Sequence, residues 1–82
     1  MTVGLWRQMR LPDGRVARWL VRDGATTVNV NVVGGPLDGS TFVADRGRSW
    51  VIVEAPGDIV DHETLEFRQG AVIDGHTVWR PA

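Results

Sequence analysis

From Thr26 to Val32 apolar and polar residues alternate strictly: Thr26, Val28, Val30 and Val32 fall on one side, Thr27, Asn29 and Asn31 on the other. A helix would scatter these valines around its circumference, so the period of two predicts a strand with one face buried and one wet. Val16–Arg22 repeats the pattern, with Ala17, Trp19 and Val21 opposed to Arg18 and Arg22. A one-residue slip there would send Trp19 and Val21 to the arginine face, so the register is strongly specified. Thr64–Arg68 alternates as well, with Leu65 and Phe67 inward and Glu66 and Arg68 outward. Val3–Leu11 reads as a strand of imperfect alternation. Trp50–Ala55 is mostly apolar, as a strand covered on both sides would be.

Turn signals separate these runs. Leu11-Pro12-Asp13-Gly14-Arg15 and Asp23-Gly24 predict tight turns, which makes the first thirty-three residues a three-stranded meander. Asp45–Arg48 and Ala55–Asp58 end further strands. Ile59–Glu63 is expected as a short helical turn capped by Asp58 or as an irregular bridge. Gln69-Gly70 and Asp74-Gly75 punctuate two last strands, Ala71–Ile73 and Thr77–Arg80. Short strands with turns every six to twelve residues predict one all-β domain over residues 1–82, barrel-like or two-sheeted, of about seven antiparallel strands.

The chain is organised around Thr27–Val43, where strand, glycine-rich turn and strand follow one another. Gly34, Gly35 and Gly39 permit positive φ, Pro36 removes an amide donor, and Asp38-Gly39 adds a second turn signal. A phosphate cradle would need GxGxxG or GxxxxGK[S/T] opening a helix. The glycines here miss both spacings and strand residues follow, so Gly34, Gly35, Pro36, Asp38 and Gly39 form a structural turn. The run Val32-Val33-Gly34-Gly35-Pro36-Leu37-Asp38-Gly39, with Thr41 to Val43 beyond, resembles that of small GGPLDG-motif proteins of actinobacteria and their bacteriophages. In that group an aromatic–arginine pair and a glycine-turn hairpin follow. Phe67-Arg68 and Asp74-Gly75-His76 stand in those places, with Phe where Tyr is more usual. The resemblance covers the middle and end of the chain, leaves Met1–Ala25 outside it, and implies an origin without an activity.

With 82 residues, the chain buries only about 60–65% of its unfolded surface. The absence of cysteine removes disulfides and thiolate metal sites as sources of stability. His62 and His76 are too few for a histidine-based structural zinc site without carboxylate help, and with no metal or cofactor motif in the sequence neither is expected. Four tryptophans remain, each able to bury about 150–250 Å², in a core or at a contact. Trp6 and Trp79 lie near opposite ends of the chain, on strands expected at sheet edges. They are the candidate anchors for self-association or a protein partner. All nine basic residues are arginine, which a GC-rich genome favours first of all and which is also compatible with forked hydrogen bonds at an interface. With neither a signal-peptide pattern nor a membrane-length apolar run, the expected place of synthesis is the bacterial cytoplasm, with the virion a possible destination.

Asp61-His62-Glu63 is the one cluster of catalytic residue types, but neighbours on a strand point to opposite faces and are badly placed to act together. No serine or threonine sits in a nucleophile motif, so the chain is expected not to be an enzyme and to take no small-molecule substrate. The charges are segregated along the sequence. Residues 1–24 hold Arg7, Arg10, Arg15, Arg18 and Arg22 against two aspartates, while residues 42–82 hold four arginines against seven acids. Three readings stand: opposite signs folded side by side, association of basic with acidic faces, or nucleic-acid binding through Arg7, Arg10, Arg18 and Arg22. The expected function is a phage or prophage-type protein acting by protein–protein contact, as a virion decoration or tail-associated component. A host-protein-binding accessory factor and a nucleic-acid-binding accessory protein are the alternatives.

Overall fold

The computed structural model describes the backbone of residues 3–55 and 58–82, and the side chains of 3–55 and 62–82. All regular structure in it is strand: β1 (Gly4–Arg10), β2 (Val16–Arg22), β3 (Thr27–Val32), β4 (Thr41–Asp45), β5 (Trp50–Ala55), β6 (Asp58–Ile73) and β7 (His76–Pro81). They form one curled, half-barrel sheet in the order β1-β2-β5-β6-β7-β3-β4. The expected all-β class holds, and Ile59–Glu63 is part of β6 rather than a helical turn or bridge.

Two pairings depart from the meander. β2 takes β5 as its second neighbour, and β3 pairs with β4 and, in parallel, with β7. Asp23-Gly24 therefore turns the chain away from β2 instead of forming a hairpin. β6 is the corner of the sheet. Sixteen residues at about 3.3 Å each would reach about 53 Å, well beyond the molecule's 35 Å extent, so the strand has to bend. Its first part pairs with β5 and its second with β7, and the register shifts between Gln69 and Val72. Gly70 lies within that irregularity, where a Cβ would press on the Val78 carbonyl. The β6–β7 hairpin turns on Asp74 and Gly75, both at positive φ, as a two-residue turn requires.

The period-two faces appear as read. Ala17, Trp19, Val30, Val32, Val51, Val53 and Phe67 are buried, while Arg18, Ile52 and Glu66 face the other way. Trp50, Ile52 and Glu54 are only half-buried, so β5 is covered fully on one face alone. Four aromatic rings cross the inside of the curl, Trp19 to Phe42 to Trp79 to Phe67, with centroids 4.5, 5.5 and 5.4 Å apart. Trp79 is fully buried on β7, an interior strand, which corrects its expected place at an exposed edge. Thr77, Val78 and Trp79 are all buried, so the place of β7 inside the sheet and not nearness to the chain end decides their position.

The glycine turn is a folded plug. Leu37 is buried in the core, Gly34 N–H donates to the Asp38 carboxylate at 2.7 Å, and Gly39 N–H donates to the Val32 carbonyl at 2.8 Å. The amides of Asp38 and Ser40 donate to the carbonyls of Gly35 and Leu37. These donors are satisfied internally and a strand rather than a helix follows, so the turn lacks the helix N-terminus on which a phosphate loop is built. Gly35 packs beneath Pro81, tying the turn to the end of β7.

Candidate docking edge at strand β1

The sheet curls until β4 faces β2, but side chains and not a ladder make the join. Trp19 Nε1 donates to the Val43 carbonyl at 2.8 Å. Arg22 donates to Asp45 through its backbone amide at 3.0 Å and through Nε at 2.7 Å. Asp45 is wholly buried, whereas the Arg22 side chain is 57% exposed. β1 lies beyond this closure as a flap with an unpaired edge.

The hydrogen bonds at both ends of the β1–β2 pair settle which backbone groups are free. Asp23 N–H donates to the Val3 carbonyl at 3.0 Å, and Leu11 N–H donates to the Arg15 carbonyl at 2.8 Å. In an antiparallel pair such residues alternate, so Leu5, Arg7 and Met9 also direct their backbone groups at β2. The N–H and C=O groups of Gly4, Trp6, Gln8 and Arg10 therefore point off the sheet. Here the strand carries no Pro, Lys or acid, and its only charges are Arg7 and Arg10.

The side chains divide by the same parity. Leu5, Arg7 and Met9 stand opposite Val21, Trp19 and Ala17 and share their face. With Trp19, Phe42 and Val43 they line an open groove of about 410 Å³ between β1 and β4. Leu5 is 62% exposed and Val43 36%. On the other face Trp6 is 45% exposed, and the Arg18 guanidinium lies 4.9 Å from its ring centroid. Arg18 in turn donates to Glu54 at 3.0 Å.

Of the five N-terminal arginines, three are committed: Arg15 to Asp13, Arg18 to Glu54 and Arg22 to Asp45. Both Glu54 and Asp45 come from the acidic half, so the segregated charges fold partly onto one another. The Arg7 and Arg10 side chains have no ion-pair partner among the described residues. Trp6, Arg7 and Arg10 thus meet on one edge. Trp79 lies in the core, and Arg18 and Arg22 brace the sheet. Arg48 stacks on Trp50 at 4.2 Å. Within Asp61-His62-Glu63, the Asp61 side chain lies outside the described residues; His62 stands opposite Glu54 and Glu63 opposite Val53, on alternate faces.

Sequence reasoning passed over Leu5, Met9, Phe42 and Val43 as groove residues. One signal was present: Leu5 and Trp6 are adjacent, so β1 carries an apolar residue on each face, as an edge covered by a partner would. Val72 and Ile73 are also exposed near the tip of the β6–β7 hairpin, on alternate faces of β6. No family model, no curated protein and no solved structure matches the chain.

Proposed function

We propose that the chain is a small phage or prophage-type β protein that works by protein–protein contact, as a virion decoration or tail-associated component, without catalysis. The observation that carries the contact role is the open edge of β1, where unpaired backbone groups lie beside exposed Leu5 and Trp6. Exposed edges of this kind recruit strands from other chains, and proteins that do not use them usually blunt them. The phage assignment rests on the GGPLDG turn and its flanking strands. A position among capsid and tail genes supports it, and a position among unrelated metabolic genes overturns it.

Salt-titrated binding to DNA and RNA tests the contact role. Submicromolar affinity that falls steeply with salt would replace it by a nucleic-acid role. Such binding is disfavoured by the ion pairs that already hold Arg15, Arg18 and Arg22. Substrate turnover abolished by His62→Ala would overturn the non-catalytic reading.

A further inference from the structure

We infer that the β1 edge accepts an extended segment of an acidic protein partner, carrying an acidic residue between two apolar ones at alternate positions. This rests on the contact role proposed above and names its ligand. Strand addition pairs the incoming backbone with Gly4, Trp6, Gln8 and Arg10, whose amides and carbonyls face off the sheet. When the incoming strand is antiparallel, Leu5, Arg7 and Met9 occupy the non-hydrogen-bonded sites of the new pair, where facing side chains approach most closely. The partner residues opposite them lie over the groove. Apolar residues opposite Leu5 and Met9 continue the surface made by Phe42 and Val43, and an acid opposite Arg7 meets a guanidinium with no ion-pair partner among the described residues. The required pattern is apolar, any, acidic, any, apolar. It reads the same in both directions and so does not depend on strand polarity. A second acid beyond it would meet Arg10.

Charge argues against a second copy as the occupant. Antiparallel pairing of β1 with itself over its full length places Arg7 directly opposite Arg7, and like charges at such a site are destabilising. The two neighbouring registers that preserve the faces centre on Trp6 and on Gln8 and put Leu5 or Met9 against Arg7, and β1 carries no acid, so no register with a second β1 gives Arg7 an opposite charge. The other edge strand, β4, reads Thr-Phe-Val-Ala-Asp, with no acid between two apolar residues, and its Asp45 is held by Arg22.

The test is selection of a displayed library of random twelve-residue peptides on the full chain. Binding of the enriched peptides is then measured by fluorescence anisotropy, with amide exchange followed by NMR. The expected result is enrichment of the apolar-x-acid-x-apolar pattern, with slowed exchange at Gly4, Trp6, Gln8 and Arg10. Gln8→Pro removes an outward donor without breaking a bond to β2 and should lose binding at least tenfold. Arg7→Glu with Arg10→Glu, which leaves the backbone edge intact, should lose a similar factor and shift selection toward basic peptides. Absence of the pattern, or binding indifferent to both variants, overturns the inference. Dimerisation on concentration that Gln8→Pro abolishes also overturns it in favour of a second copy, while leaving the contact role standing. Tight, salt-sensitive nucleic-acid binding removes that role itself.

Discussion

The Trp19 indole N–H donates to the Val43 carbonyl over 2.8 Å, joining β2 to β4 across the mouth of the curl. The same indole lies 4.5 Å from the Phe42 ring, so one side chain supplies both a polar and an apolar tie. Trp19→Phe keeps most of the packing and loses the hydrogen bond and some ring area, at a cost of about 1–3 kcal/mol. Trp19→Ala removes both and should cost about 3–5 kcal/mol. Urea unfolding of the two variants checks the order.

Arg22 and Asp45 make the second tie, and their unequal burial predicts unequal mutants. Arg22→Ala leaves a wholly buried carboxylate with only a backbone N–H and should cost about 3 kcal/mol or more. Asp45→Asn keeps an acceptor for that N–H and lets the guanidinium, already 57% exposed, turn to water. Its cost should be about 1–2 kcal/mol. Equal losses in thermal unfolding would contradict this account of the pair.

Period two made the faces legible: Val30, Val32, Ala17, Trp19 and Phe67 are buried where alternation put them. Strand order was not legible, because Asp23-Gly24 has the composition of a hairpin turn whether or not the strands it joins pair. The parallel contact of β3 with β7 is non-local, and neither strand's pattern encodes its neighbour. Trp79 was misplaced for a related reason. Its nearness to the chain end suggested an edge, whereas β7 is an interior strand. For the candidate site, Trp6, Arg7 and Arg10 were legible as residues, but the groove was not. It exists only because β4 curls over to β2 and leaves β1 outside.

In the glycine turn, Gly35 and Gly39 separate two costs. Both have positive φ, 71° and 82°, where an alanine costs about 1–2 kcal/mol. At Gly39 an added methyl meets open space, whereas at Gly35 it would lie 2.8 Å from Pro81 Cγ. Gly39→Ala should therefore lose only the conformational part, and Gly35→Ala roughly 1–3 kcal/mol more from overpacking. Gly39→Asn, which tolerates this backbone, should be milder than Gly39→Ala in chemical denaturation.

The first hairpin carries a pH signature. Asp13 accepts from the Arg15 backbone N–H at 3.0 Å and from its Nε at 2.7 Å. These bonds, the backbone one foremost, hold the Asp13 carboxyl below its ordinary range. A lowered folded pKa means the contribution is present above the unfolded aspartate value of about 3.9 and disappears as pH falls through the folded one. The stability gap between the native chain and Asp13→Asn should close in that window. An NMR titration of the Asp13 carboxyl carbon gives the folded value directly, and a midpoint at or above 3.9 would count against the hairpin bonds.

Arg18 bears on both structure and the nucleic-acid alternative. It donates to Glu54 at 3.0 Å and covers the Trp6 ring at 4.9 Å, while the Glu54 side chain is only 11% exposed. Arg18→Ala strands that carboxylate at the foot of β1 and should cost about 1–3 kcal/mol, discounted from a fully buried pair because Arg18 itself is 32% exposed. A double-mutant cycle with Trp6→Ala should isolate a coupling of about 0.5–1 kcal/mol for the ring contact. Arg18→Lys retains charge but cannot stack a planar guanidinium on the indole, so it should recover the Glu54 share and little of the Trp6 share. Were Arg18 instead a phosphate contact, Arg18→Ala with Arg22→Ala would flatten the salt dependence of nucleic-acid binding. With both guanidiniums already engaged to Glu54 and Asp45, the double variant should lower the melting temperature and leave any weak nucleic-acid affinity unchanged.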